Sequence, residues 1–354
     1  MTLLITTQAV DIDDPILGFF HSWIAELAGC FDSIEVICLR EGRHDLPQNV
    51  HVHSLGKERQ WAGRSVLLRV RYAWRFWRYA WRLRSRYDAV FVHMNPEYVV
   101  LAGFFWRLSH KRIVLWYTHR QVTILLRIAL LFSHAVGTAA PESLRLKSPK
   151  VHVIGHGIDT AAFSATHEGT LHDPIALLSV GRITPIKRLE ILLEALALLS
   201  DRGVHAALTL VGAPVMPGDF AYQETLLAHA RSLGIEDRVH FVGARPYRDM
   251  PAMYRSHDAS INLAPTGGID KAVLESMAAG VPPLVANRAF GPLFGGDASR
   301  LIFDASSTDL ADKLRAFVNL SVSERAALSA RLAAQAVAQA DLSQTISRLC
   351  TLLT

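Results

Sequence analysis

Apolar residues fall into short runs of about four to eight, separated by stretches in which they recur at helical spacing. Leu3–Thr7, Ser33–Arg40, Val50–Leu55, Ala89–His93 and Arg112–Thr118 read as strands. A helix is predicted over Leu17–Ala28 and a long one over Gly63–Tyr87. This alternation predicts a parallel sheet covered on both faces. At Val151–Asp159 (VHVIGHGID) the pattern reaches a glycine-rich break, and a second series begins. It comprises strands Ile175–Val180, Ala207–Val211, Arg238–Val242 and Ala259–Leu263, with a helix over Leu189–Ser200. The expected fold is α/β, with two Rossmann-like domains. Residues 1–158 form the first, 159–335 the second, and 336–354 a helix packing back towards the first. Such domains take ligands outside the carboxyl ends of their strands, so a deep cleft between them is the expected site.

A chain of 354 residues can bury two cores, and its 50% hydrophobic, 19% charged composition excludes a disordered or low-complexity protein. Cys30, Cys38 and Cys350 are too few and too scattered for a disulfide framework or zinc module, so a reducing, cytoplasmic setting is expected. The start, MTLLITTQAVDIDD, lacks the basic region of a secretory signal. The uncharged run Ile128–Pro141 falls short of the ~20 residues of a membrane span.

Charge changes this picture in one place. Gly63–Tyr87 holds Arg64, Arg69, Arg71, Arg75, Arg78, Arg82, Arg84, Arg86 and no acid. Removing those eight from the net charge of +5 leaves the remainder at −3, unlike the broad basic footprint of a nucleic-acid binder. On a helical wheel Arg64, Arg71, Arg75, Arg78, Arg82 and Arg86 share an arc of about 80°. Trp74, Trp77 and Trp81 run alongside, and the Leu/Val/Phe side is expected to pack on the sheet. A basic ridge bordered by aromatics suits an anionic membrane surface. An acidic partner or nucleic acid, or a merely solvated face, is the alternative.

Two clusters carry candidate chemistry. After strand Ile175–Val180, Gly181-Arg182-Ile183-Thr184-Pro185-Ile186-Lys187 combines a glycine turn with two cations before a helix, which suits phosphate. The alternative is an ordinary connection with solvated cations. After Ala259–Leu263, Gly267-Gly268-Ile269-Asp270-Lys271 opens a helix carrying Glu275. Backbone amides at Gly267–Ile269 can approach phosphate or sugar, and Glu275 can accept ribose hydroxyls. The alternative places Glu275 on a helix surface. Asp11, Asp13 and Asp14 spell a short acidic motif in the loop after the first strand. Acceptor-hydroxyl recognition or helix capping is expected of Asp13 and Asp14 in preference to metal ligation. His51, His53, His152 and His156 lack the supporting ligands of a metal site.

The succession VGRITPIKRLEILLEAL, LTLVGAP, DRVHFVGARPYRDMPAMYRSHDASINLAP and VLESMAAGVPPLV resembles the donor half of family-4 glycosyltransferases of GT-B architecture. LGFFHSWIAELAG and IVLWYTHR resemble that family's first helix and the strand ending in its active-site histidine. The resemblance implies a metal-independent, retaining, hexosyltransferase-like transfer from a UDP- or GDP-linked sugar, with no further cofactor. With the basic helix beside this resemblance, the expected acceptor is a glycan or a lipid-linked molecule at the inner face of the cytoplasmic membrane, as in polysaccharide or glycolipid synthesis. Arg182 and Lys187 would hold the diphosphate, with Gly181, Gly267, Gly268, Ile269 and Lys271 around it. Glu275 would take the ribose, Val242 and Gly243 the base, and His119 and Gly18 would face the donor from the other domain. The family's first glutamate falls at Gly267, so Asp270 is the nearest acid able to replace it. That departure leaves room for a non-catalytic subunit; a nucleotide-sugar epimerase or phosphorylase on the same architecture is a separate alternative.

Overall fold

A computed structural model describes residues 1–59, 66–165, 168–264 and 268–354. The chain divides into two units, Met1–Gly157 with Pro246–Arg248 and Asp341–Thr354, and Ile158–Arg245 with Asp249–Ala340. The second unit runs to Ala340, past the expected 335, because the helix Val322–Ala340 continues through that stretch.

The first unit holds β1 (Thr2–Val10), β2 (Ser33–Glu41), β3 (Val50–Ser54), β4 (Ala89–His93), β5 (Arg112–Trp116), β6 (Ala135–Thr138) and β7 (Val151–Val153). They form one parallel sheet in the order β3-β2-β1-β4-β5-β6-β7. Alternating side chains feed two cores, as a pleated strand requires. Leu3 and Ile5 pack with α1 (Phe19–Leu27) and with Leu349 and Leu353 of the C-terminal helix Leu342–Leu353. Leu4 faces the other way, towards Phe76 of α2 (Val66–Arg82), Trp106 of α3 (Pro96–Leu108) and Leu126 of α4 (Ile124–Phe132). β1 outruns its predicted end at Thr7 because its pairing with β2 continues to Val10 and Glu41. The Ile128–Pro141 run divides between the end of α4 and β6. Among the described residues, no helix is long and apolar enough to cross a membrane.

α2 departs from the wheel in two respects. Its buried residues are Phe76 and Ala80, whereas Val66 (75%), Leu67 (80%) and Val70 (61%) are exposed instead of packing on the sheet. Arg75 leaves the basic ridge, because its Nη1 donates to the Leu55 carbonyl at 2.7 Å over Gly56, where a Cβ would stand 2.5 Å from that nitrogen. Arg71, Arg78 and Arg82 are exposed, as are Trp74 and Trp77. Arg84 and Arg86 lie past the helix end, and Arg64 lies outside the described residues.

The second unit holds β8 (Ile175–Val180), β9 (Ala206–Val211), β10 (Val239–Gly243), β11 (Ala259–Asn262) and β12 (Pro283–Val285). They form a parallel sheet in the order β10-β9-β8-β11-β12. Its helices include α5 (Leu189–Asp201), α6 (Pro217–Ser232) and α7 (Lys271–Ala278). In each sheet the strand order reverses beside the first strand, between β1 and β4 and between β8 and β11. Loops leave these strand pairs in opposite directions, which opens a crevice at their carboxyl ends.

Trp23 joins sheet to helix in the first unit. Its indole is buried, tilts against Trp116 at 5.1 Å and donates to the Gly157 carbonyl at 3.0 Å. Gly157 has φ +63°, and a Cβ there would meet the ring at 2.5 Å. Trp23→Ala is expected to lower the first unit's stability by about 3–5 kcal/mol. A urea titration followed by near-ultraviolet circular dichroism reads that loss.

Candidate functional site

Backbone contacts between three glycine-bearing loops shape the crevice of the second unit. Gly181, after β8, donates its N–H to Val211 at 2.9 Å, and Gly212, after β9, donates to the carbonyl of Gly243 at 2.9 Å. Gly212 has φ +142°, and a Cβ on it would lie 1.9 Å from the Gly181 carbonyl oxygen. Only glycine allows that approach. Val242 and Gly243 are half-buried at the end of β10.

Lys187 sits in a single 3-10 turn, Pro185–Lys187. It is therefore not at the amino end of α5, which starts at Leu189 after the left-handed Arg188 (φ +48°). Its Nζ reaches Asp270 Oδ2 at 2.9 Å, spanning the reversal between β8 and β11. Asp270 is the N-cap of α7 and accepts the Ala272 N–H on Oδ1 at 3.2 Å and the Asn262 amide on Oδ2 at 2.9 Å. Burial alone raises its pKa, but the Lys187 ammonium and the Asn262 amide outweigh burial and hold it below the ordinary value. Arg182 is exposed on the same loop. Its charge acts on Asp219, a buried carboxylate that takes the Met216 N–H at 2.9 Å and the Val215 N–H at 3.2 Å. The Met216 amide, then the Thr184 hydroxyl, keep Asp219 below its usual pKa.

Gly268 and Ile269 precede α7 half-buried, and Gly267 lies outside the described residues. Glu275 is only 5% exposed, within 3.4 Å of the Tyr254 hydroxyl and 3.6 Å of Lys271 Nζ. Burial, then Glu275, pushes the Tyr254 phenol well above its ordinary value. Burial pulls Lys271 down to about 7, although Glu275 and Asp159 oppose that shift. An anion entering the crevice would thus meet Lys187, Arg182 and loop amides, with a buried carboxylate one helical turn further on.

The first unit carries its own depression, of about 610 Å³, at the β1/β4 reversal. Asp14, Arg40, His93, Asn95 and His119 line it. His119 is exposed and lies beyond β5, which stops at Trp116, before the expected Thr118. Its ring meets Tyr117 edge-on at 5.5 Å. Asp14 accepts the N–H groups of Ile16 (2.8 Å) and Leu17 (2.7 Å) and pairs with Arg40. Asp13 pairs with Arg43 and Arg248, each at 2.8 Å. Both carboxylates therefore organise the loop before α1. Gly18 closes that loop, since a Cβ on it would lie 2.5 Å from the Asp14 carbonyl and 2.8 Å from Tyr247 Cβ.

Sequence reasoning missed Asn262, Tyr254 and Asp219 in one unit and Gln8, His93 and Asn95 in the other. A signal existed for two of them. His93 closes an otherwise apolar strand and Asn262 closes the strand Ala-Ser-Ile-Asn, and the carboxyl ends of strands in such sheets face ligand.

Residues 164–335 match the family model described as Glycosyl transferases group 1. A D-inositol 3-phosphate glycosyltransferase of Streptosporangium roseum is 32% identical over 206 residues, which are 54% of this chain and 46% of that protein. The amylovoran biosynthesis glycosyltransferase AmsK of Erwinia amylovora is 29% identical over 171 residues, 46% of this chain and 39% of its own. The chain thus spans less than half the length of either relative. Anabaena Alr3699/HepE, solved in complex with UDP-glucose, aligns with a TM-score of 0.75 at 17% identity, covering 99% of this chain and 98% of that one. The fold is GT-B.

The Lys271 shift sets a pH dependence. Between about pH 7.5 and 9.5 the unfolded chain holds a proton on this lysine that the folded chain has largely released, so this group makes stability rise with pH. Lys271→Met should flatten that slope in urea titrations of the full chain across the window; an unchanged slope would contradict the shift.

Proposed function

We propose that this chain, whose residues 164–335 belong to the group 1 glycosyl transferases, moves a sugar from a nucleoside diphosphate to an acceptor hydroxyl. The HepE complex supports UDP as the first nucleotide to test, and the family resemblance supports retention of configuration. The observation that carries the reading is the Lys187–Asp270 pair across the β8/β11 crevice. Lys187 exchanges this carboxylate for the donor diphosphate, with Arg182 and the amides of Gly268 and Ile269 completing the anion site. These cations and dipoles stabilise the departing diphosphate in the manner of an oxyanion site, the charge role a divalent ion can otherwise fill. Glu275 is assigned to the ribose, with Lys271 and Tyr254 holding it, and Val242 and Gly243 to the base.

Asp270 takes a positioning role. After Lys187 leaves, Asp270 Oδ2 still takes the Asn262 amide and Oδ1 the α7 amide, so Asp270 is assigned to holding the loop and not to the place of the carboxylate missing at Gly267. His119 is assigned to the reacting sugars, in a cavity that offers them Asn95 and Arg40 as well. The acceptor is placed at an anionic membrane surface. Support comes from α2, which exposes Leu67, Val70 and Trp74 beside Arg71, Arg78 and Arg82.

Calorimetry with UDP tests the donor site. Charge-assisted hydrogen bonds are worth about 1.5–3 kcal/mol, so Lys187→Ala should weaken UDP by about tenfold to a hundredfold. Asp270→Asn removes a competing anion while keeping a good cap, and should tighten UDP by about threefold to tenfold. Changes of the same sign in both variants would overturn the exchange. His119→Ala should leave UDP affinity intact and lower turnover with the matched acceptor, whereas a wild-type rate would make the histidine structural.

Liposome flotation tests the surface. Each cation near an anionic membrane contributes about 1 kcal/mol, so wild type should float with anionic vesicles at low salt and be released by added salt. Joint replacement of Arg71, Arg78 and Arg82 by Gln should abolish flotation without altering UDP binding. Failure of wild type to float would contradict the membrane placement.

A further inference from the structure

The fold sorts the three cysteine thiols into two environments. Cys38 is fully buried in β2, where burial pushes its thiol up to about 12. Cys30 is exposed in the loop after α1, and Cys350 is half-buried on the C-terminal helix Leu342–Leu353. That helix packs against α1, and Ser343 Oγ in its first turn donates to Glu26 Oε1 at 2.8 Å. Cys30 follows Glu26 by four residues, and Cys350 follows Ser343 by seven, or two helical turns. These two thiols, 320 positions apart in sequence, are in hydrogen-bond contact.

Both thiols stand on backbone that is held in place. Asn49 Nδ2 donates to the carbonyls of Ala28 at 2.9 Å and Phe31 at 3.1 Å, which bracket Cys30, and the Cys30 N–H donates to the Leu27 carbonyl at 2.9 Å. On the other side Leu349 and Leu353 are buried with Leu3 and Ile5, and Cys350 packs against the same core. Arg348 donates to the Ile154 carbonyl at 3.3 Å and Arg112 to that of Leu352 at 2.6 Å, so the helix is fastened at each side of Cys350. The pair is unequal in reactivity. Burial, then the contact with Cys30, pushes the Cys350 thiol above the ordinary range, which keeps it protonated and unreactive towards reagents in solution. An accessible thiol beside a shielded one is the arrangement of an attacking and a resolving cysteine. Among the described residues no group of three His, Cys, Asp or Glu is disposed to hold a metal, which leaves thiol chemistry as the use of this pair.

We propose that Cys30 and Cys350 are a reversible disulfide site that clips the C-terminal helix to the end of α1. The Cys30 thiolate attacks one sulfur of a low-molecular-weight disulfide, forming a mixed disulfide and expelling one small thiolate, which takes a proton from water. Cys350 gives its proton to solvent and attacks the Cys30 sulfur. The bond from Cys30 to the small thiol breaks, and the second small thiol leaves. Two protein thiols are thereby oxidised to one disulfide while one small disulfide is reduced to two thiols. What the clip secures follows from what the helix covers. Ile346, Leu349 and Leu353 close the face of the first sheet that carries Leu3 and Ile5, and a bond at Cys350 keeps that cover from peeling away. The proposal is independent of the donor reading, since neither cysteine belongs to the second unit's crevice.

The test incubates the full chain with oxidised glutathione, natively and in concentrated urea, and locates disulfides by acid quenching, tryptic digestion and mass spectrometry. The native chain should yield residues 1–40 joined to residues 349–354, a species that dithiothreitol removes. It should form at least about tenfold faster than in urea, because the fold supplies an effective concentration that so long an unfolded loop does not. Residues 1–40 also carry Cys38, so Cys38→Ala should retain the cross-link and Cys30→Ser should abolish it. Oxidation should raise the urea midpoint of the wild type and leave that of Cys350→Ser unchanged. Glutathione on Cys30 with no internal cross-link, dimers joined through Cys30, a bridge to Cys38, or a cross-link forming no faster natively than in urea would each overturn the proposal. Should Cys38→Ala fail to fold, fragmentation of the wild-type species still identifies the bridged cysteine.

Discussion

A lysine and an aspartate brought together from opposite sides of a sheet reversal organise the second unit's chemistry. Lys187 follows β8 and Asp270 follows β11, and these neighbouring strands send their connections to opposite faces. A cation held there by its own carboxylate is preorganised yet replaceable, because an entering diphosphate offers more acceptors than Asp270 does. The surrounding glycines serve the same end. Gly181 leaves room for the Lys187 stem, whose Cε would lie 3.3 Å from a Cβ at that position, and Gly212 lets the adjoining loop close against it. Behind this layer Glu275, Lys271 and Tyr254 form a buried polar cluster, where removing one member would leave the others poorly matched.

The first unit repeats the topology with different consequences. Its reversal lies between β1 and β4, and the loops there are stiffened by Asp13 and Asp14 paired with arginines. The depression they border keeps His93 stacked on Phe20 at 3.8 Å and leaves His119 accessible. The three helices on one face of the sheet bury little of their outer sides. α2 buries Phe76 and Ala80 alone, which leaves tryptophans, valine, leucine and arginines to meet something other than this chain's core.

Much of this was readable before any coordinates. The alternation of apolar runs located most of the strands, and GRITPIK and GGIDK marked the donor-side loops, because these signals depend on residues close in sequence. What sequence could not show depends on distant partners. The Lys187–Asp270 pair joins positions 83 apart. Asp270, read from spacing as a substitute for a missing glutamate, has both oxygens committed once Asn262 and Ala272 are placed beside it. Arg75 belongs to the ridge by periodicity and leaves it only because Leu55 and Gly56 offer a carbonyl and an empty space. The exposed apolar stripe of α2 was hidden by the assumption that Leu and Val seek the sheet, when Phe76 and Ala80 already satisfy that contact.

The exchange at Lys187 is the claim on which the account turns, and a crystal structure of the full chain with UDP tests it most directly. The account predicts a diphosphate oxygen within hydrogen-bond distance of Lys187 Nζ, with the Lys187–Asp270 contact broken and Asp270 still capping α7. UDP bound elsewhere, or bound with the Lys187–Asp270 pair intact, would contradict it.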